Sequence, residues 1–137
     1  MYGLQNEEVA VQQYTQIMQL YDKVVTISNT GLHIHGEYSF IAASPDRLVT
    51  DGGIAGLLEV KCPSSKAGQK VLDACSDKAF CAEVINGEVC LKRTHAYFYQ
   101  IQGQLGVTRK AWCDFVLWTG HLELQHSVSV QRIYFDS

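Results

Sequence analysis

Ser44-Pro45-Asp46-Arg47-Leu48-Val49-Thr50-Asp51-Gly52-Gly53-Ile54-Ala55-Gly56-Leu57-Leu58-Glu59-Val60-Lys61 reads as two strands joined by a turn. Asp51-Gly52-Gly53 is a turn signal between β-prone runs, so the stretch predicts a hairpin. With Gly52 and Gly53 as the two central turn residues, Asp51 pairs with Ile54, Asp46 falls opposite Glu59, and Ser44 falls opposite Lys61. Side chains alternate along a strand, which puts Glu59 and Lys61 on one face and turns Val60 to the core. Directly opposed side chains have Cβ atoms about 5 Å apart. Two carboxylates at that spacing repel unless a cation lies between them. Two hard oxygen ligands with open positions suit Mg²⁺ or Mn²⁺. A three-residue loop would put Asp46 on the other face unless a bulge restored it. The neighbouring Lys61 ammonium can hold or deprotonate an attacking water, or stabilise charge developing on a phosphate. Asp followed by Glu-x-Lys on one sheet face is therefore a minimal phosphodiester-hydrolysing set. Glu-x-Lys alone is equally an ordinary pair of surface charges.

Outward from the hairpin, the order of elements predicts a mixed α/β fold, a small sheet flanked by helices. Leu4 to Tyr21 reads as a helix, with Tyr14, Ile17, Met18 and Tyr21 at 3/4 spacing and Val9 and Ala10 extending the stripe. Val24–Ser28 is a short β-prone run before the turn-like Asn29-Thr30-Gly31, and Leu32–His35 and Phe40–Ala43 are strand-like. His33 and His35 would share a strand face, which is more often a half-exposed face than a metal site. Lys66 to Cys75 predicts a short helix. Phe80–Ile85 and Glu88–Arg93 flank Asn86-Gly87, a pair suited to a type I′ hairpin turn. Thr94 to Val107 predicts a second long helix, with Phe98, Ile101 and Leu105 in an apolar stripe and Tyr97, Gln100 and Gln104 on a separate polar face. Trp112–Thr119 and Ser127–Phe135 predict the closing strands.

Composition narrows the classes. The chain has 137 residues, 47% hydrophobic and 18% charged, which fits one domain spanning 1–137 and excludes a disordered charged tail. The longest wholly apolar run, Phe115-Val116-Leu117-Trp118, is too short to span a membrane. The first twenty residues lack the apolar core of a secretory signal. Net charge is −3, so a domain-wide basic footprint is absent. The charge is unevenly spread: residues 1–60 carry net −5, 61–110 net +4, and 111–137 net −2. An acidic part beside a basic middle is what a metal-and-phosphate site needs, although an ordinary mixed surface looks the same. Five cysteines form no CxxC pair, and reduced thiols in an intracellular setting, cytoplasmic or nuclear, are the simplest reading. Cys75, Cys81, Cys90 and His95 match no zinc-finger spacing, so no structural zinc is expected.

Four motifs in order carry a resemblance. Gly3-Leu4-Gln5-Asn6-Glu7, Ala43-Ser44-Pro45-Asp46, Leu58-Glu59-Val60-Lys61-Cys62-Pro63 and Ala96-Tyr97-Phe98-Tyr99-Gln100-Ile101-Gln102 resemble the phage lambda exonuclease/YqaJ viral recombinase family. That family is a branch of the PD-(D/E)XK nuclease superfamily. The resemblance runs from about Gly3 to Trp118, and Cys113–Trp118 looks most like versions from animal genomes and eukaryotic viruses. It implies a restriction-endonuclease-like core and a metal-dependent deoxyribonuclease, a 5′-to-3′ exonuclease on duplex ends used in recombination or repair. An endonuclease on the same site, or a DNA-end-binding module without catalysis, is the alternative.

The resemblance implies roles residue by residue. Asp46 and Glu59 match metal ligands, Lys61 the catalytic lysine, and the Val60 carbonyl a further ligand. Glu7 matches the glutamate near the metals, although an acid in a helix's first turn is also favoured by the dipole. Gln100 matches the active-site glutamine, with Tyr97 packed beside it. Ser44, Arg47 and Lys66 are the expected phosphate contacts. Arg47 departs from the pattern, which has Gly after Ser-Pro-Asp. Mg²⁺ is the implied cofactor, with Mn²⁺ able to replace it. Double-stranded DNA ends are the implied partner, a single-strand annealing protein a further one, and no membrane. The chain starts almost at the first helix, so the resemblance does not extend to a DNA-guiding N-terminal arm or to a ring-shaped trimer.

Overall fold

The computed structural model describes residues 2–28 and 47–136, with side chains from residue 6 onward. Asp46, Ser44, His33, His35 and the strand-like runs at 32–35 and 40–43 lie outside the described residues. A mixed five-stranded sheet forms the centre. Its strands are β1 (Val25–Ser28), β2 (Arg47–Asp51), β3 (Ile54–Lys61), β6 (Trp112–Trp118) and β7 (Val128–Tyr134), side by side in that order. β3 and β6 are parallel, and the other neighbours are antiparallel. Between β3 and β6 the chain runs through a 3-10 turn at Ser64–Lys66, α2 (Val71–Ala74), a hairpin of β4 (Ala82–Ile85) and β5 (Glu88–Leu91), and then α3 (Ala96–Thr108). A parallel pair needs such a crossover, because its strands must start at the same end.

The β2–β3 register is the expected one, from Asp51↔Ile54 to Arg47↔Leu58. Gly52 and Gly53 both adopt positive φ, +60° and +86°, as the two central residues of a type I′ turn require. Asn86 and Gly87 do the same, and Ile85 pairs with Glu88.

Each face of the sheet has its own core. On one, Ala10, Tyr14 and Met18 of α1 (Tyr2–Leu20) pack on Val49, Leu58, Val60, Trp112, Val116 and Trp118. On the other, Phe98, Ile101 and Leu105 of α3 join Val71 and Ala74 of α2 against Leu57, Cys113, Phe115, Leu117 and Ile133. β6 is buried at all seven positions because helices cover both its faces.

Several expectations change. The α1 stripe is narrower than its spacing predicts: Ala10, Tyr14 and Met18 are buried, whereas Val9 and Tyr21 are exposed. A narrow helix–sheet contact buries one row of side chains, and Val9 and Tyr21 flank that row. No continuous helix spans 66–75. Gly68 takes φ +81° and donates its N–H to Thr119 O at 2.7 Å, which diverts the chain between the 3-10 turn and α2. A short helix, α4 (Leu124–Ser127), precedes β7 without having been expected. Gln104, expected on the polar face of α3, is buried rather than solvated. No described helix is long and apolar enough to cross a membrane.

Candidate active site

Leu57, Glu59 and Lys61 share the α3 face of β3, and Leu58 and Val60 enter the α1 core. Glu59 is only 6% exposed. Its Oε1 lies 3.4 Å from Lys61 Nζ. The Lys61 ammonium also stands 4.5 Å from the centre of the Tyr97 ring. Glu7 from α1 reaches the same place, and a cavity of about 410 Å³ opens there. Its walls are Glu59, Val60 and Lys61 from β3, Glu7 from α1, and residues of the start of α3 and of the segment between β3 and α3 (the insert, residues 62–95).

The insert is the wall that sequence reading did not anticipate. Pro63, Ala79, Phe80 and Cys81 line the cavity, and so does His95. Lys92 N–H bonds to Cys81 O at 2.9 Å, which closes the base of the β4–β5 hairpin just before α3. His95 is the N-cap of α3, its Nδ1 accepting the Tyr97 N–H at 3.0 Å. Its ring centre lies 4.5 Å from that of Tyr97. No sequence signal marked it, because Thr94–Val107 reads as one helix that contains His95, and histidine is not a preferred N-cap. Burial pushes the Cys81 thiol up to about 11, so it remains protonated near neutral pH.

The structure brings together Glu7, Glu59, Val60, Lys61 and Tyr97 of the expected site. Others of the expected site do not line the cavity. Arg47 Nη2 bonds to Glu8 Oε1 at 2.9 Å. Lys66 Nζ bonds to Asp77 Oδ2 at 2.7 Å and holds that carboxyl below its ordinary range. Gln100 is half-buried one turn beyond Tyr97, and is not among the residues lining the cavity. Two further basic residues of the middle of the chain have partners: Lys92 Nζ bonds to Lys78 O at 2.6 Å, and Arg93 pairs with Asp136 at 2.8 Å. Among the described residues, no group of three or more His, Cys, Asp and Glu side chains is gathered for a metal ion. The oxygen donors lining the cavity, Glu7 and Glu59, are of the type that a hard divalent cation prefers.

A hairpin feeding an acidic residue and a lysine onto one face of a central strand, with a crossover helix closing over them, defines a PD-(D/E)XK-type fold. The family model for the YqaJ-like viral recombinase domain matches residues 1–111, and the chain belongs to that family. An uncharacterized protein of Acanthamoeba polyphaga mimivirus is 34% identical over 100 residues, covering 67% of this chain and 16% of the relative. Among solved structures, the alkaline exonuclease LHK-Exo from Laribacter hongkongensis superposes with a TM-score of 0.54 at 25% identity, covering 95% of this chain and 56% of that one. LHK-Exo in complex with dAMP gives a TM-score of 0.56 at 23% identity, over 99% and 60% of the two chains. The chain thus spans well under two thirds of each of these proteins.

Proposed function

We propose that the protein is a metal-dependent deoxyribonuclease that hydrolyses phosphodiester bonds at the ends of duplex DNA, as a 5′-to-3′ exonuclease. The observation that carries this is the pairing of buried Glu59 with Lys61 at 3.4 Å on one strand face, open to a cavity that Glu7 also lines. An isolated pair of surface charges would not be buried at the back of a cavity. Membership of the YqaJ-like family, and a fold shared with an alkaline exonuclease, support the same reading.

Glu59, Glu7, the Val60 carbonyl and Asp46 would hold Mg²⁺, for which Mn²⁺ can substitute. When bound, the ion supplies Lewis acidity toward the phosphate and lowers the pKa of a coordinated water. The chain's own residues supply the rest. Glu59 fixes Lys61 by attraction, and Lys61 offers its remaining N–H donors to the cavity. An ammonium there stabilises negative charge as it grows on the phosphate oxygens during attack by water. The walls from Phe80, Pro63 and Leu117 keep bulk solvent from one side, which strengthens that interaction.

Linear duplex DNA and a closed circle, each incubated with Mg²⁺ and with EDTA, test the reading. Nucleotide release from linear DNA alone, abolished by EDTA, is the expected result. Nicking of the circle would make the protein an endonuclease. Binding to ends with no cleavage under any divalent metal would make it a non-catalytic module and end the proposal.

A further inference from the structure

A lysine side chain is long and flexible, so a catalytic lysine needs something to hold its ammonium at one point. Glu59 Oε1 contacts it from one side at 3.4 Å. Tyr97 provides the other side, its ring centre 4.5 Å from Nζ. A cation over an aromatic face is attracted by the ring quadrupole. The face attracts the charge without neutralising it, as a second carboxylate would, and so leaves donors free to point into the cavity.

Tyr97 is itself braced. Its ring lies 6.4 Å from that of Phe115 and 4.5 Å from that of His95. The His95 ring is tied down, because Nδ1 accepts the Tyr97 amide N–H at 3.0 Å. That bond leaves the proton of the neutral ring on Nε2. Histidine is not among the preferred N-caps, where Asn, Asp and Ser lead. A cap alone does not explain a ring that also packs on Tyr97 and lines the cavity.

We propose that Tyr97 is a positioning residue that seats the Lys61 ammonium on its ring face, and that His95 holds Tyr97 in that orientation. The role in turnover rests on the nuclease reading above, whereas the seat itself is a property of the protein without DNA.

The experiment uses the full chain and three variants. The readouts are single-turnover cleavage of linear duplex with Mg²⁺, affinity for the same duplex in Ca²⁺, and the proton shifts of the Lys61 ε-methylene without DNA. Tyr97→Phe keeps the ring face and should cleave within about twofold of the parent. Tyr97→Leu removes the face and should cleave about tenfold more slowly, with affinity in Ca²⁺ unchanged. It should also abolish the upfield ring-current shift of the Lys61 methylene. His95→Asn keeps a cap, so the melting temperature should hold, while the rate falls about threefold and the methylene shift diminishes. Parental cleavage and an unchanged methylene shift in Tyr97→Leu would overturn the seat. Parental rate and shift in His95→Asn would reduce His95 to a cap. If the parent cleaves nothing, the nuclease reading falls, yet the methylene shift still decides the seat.

Discussion

Asp114 and Glu59 are both buried carboxylates on adjacent parallel strands, one residue out of step and on opposite faces of the sheet. Their surroundings differ in kind. Asp114, 1% exposed, accepts a bond from Tyr14 at 2.5 Å and from Arg132 Nε and Nη2 at 2.7 and 3.0 Å. Arg132 also reaches Asp51 at 3.0 Å and lies 3.6 Å over the Trp112 ring. The bond to Asp114 holds the Arg132 guanidinium charged more firmly than usual, and burial beside Asp114 keeps the Tyr14 hydroxyl protonated. Glu59 has Lys61 beside it and a cavity in front of it. A bidentate guanidinium, a hydroxyl and a closed core make a carboxylate a structural tie. Glu59, in contrast, has an ammonium at its side and faces a cavity that Glu7 also lines. The same residue chemistry serves stability on the α1 face and, in the function proposed above, reactivity on the α3 face.

The contrast predicts opposite outcomes for matched substitutions. Asp114→Asn should cost about 1.5–3 kcal/mol of folding stability, because Tyr14 and Arg132 lose a charged acceptor in the core while Asp51 still pairs with Arg132. Chemical denaturation measures this, and folded variant should cleave at the parental rate per active molecule. Glu59→Gln should do the reverse, lowering cleavage at least a hundredfold with a melting temperature near the parent's. If both variants lose stability and neither loses rate selectively, the division between the faces is wrong.

Lys61→Ala comes next, at on the order of a hundredfold in single-turnover rate. Its DNA affinity in Ca²⁺ should change far less, because the lost interaction grows only in the transition state. Lys61→Arg should not rescue fully, since the guanidinium is wider and keeps its proton. Equal loss of rate and affinity would make Lys61 a binding residue.

Gly56→Ala sharpens the structural side. A Cβ at Gly56 would lie 2.4 Å from the Trp112 ring, over which the Arg132 guanidinium also lies at 3.6 Å. The ring cannot retreat without disturbing the Asp114 network, so a loss of about 1–3 kcal/mol is expected in a urea titration. On the reactive side, Gln100→Ala should lower turnover by up to about tenfold with little change in melting temperature. Normal cleavage with a much lower melting temperature would assign Gln100 to the fold.

The smallest effect is alkaline. The folded-state pKa of Tyr14 is raised above its unfolded value of about 10. Its contribution is therefore fully present below pH 10 and declines as pH rises further, by about 1.4 kcal/mol per pH unit. Tyr14→Phe should flatten that part of a stability-against-pH curve. An unchanged slope would show that Tyr14 does not keep its proton for Asp114.

Much of the scaffold was legible because its signals are local. Gly52-Gly53 and Asn86-Gly87 tolerate positive φ at consecutive positions, and such turns set the register of everything that follows them. Period-2 alternation then places Glu59 and Lys61 on one face and Val60 on the other, with no knowledge of the rest of the chain. The apolar stripe Phe98, Ile101 and Leu105 likewise followed from helical spacing.

Tertiary structure alone decided the rest, because partners distant in sequence leave no periodic trace. Asp114 looks like one more charge on a strand until Tyr14, one hundred positions away, and Arg132 close on it. Arg47 and Lys66, expected as phosphate contacts, have Glu8 and Asp77 beside them, partners that their own neighbourhoods in sequence do not announce. Gln104 belongs to the polar face of an isolated helix, yet it is buried in the folded chain. His95 became part of the site only when the crossover brought the start of α3 against β3, setting Tyr97 over Lys61. The sequence by itself determined which face of β3 carries the carboxylate and the lysine, since strand geometry is a property of neighbouring residues. What surrounds that pair depends on how separate elements pack, and only the folded chain holds that information.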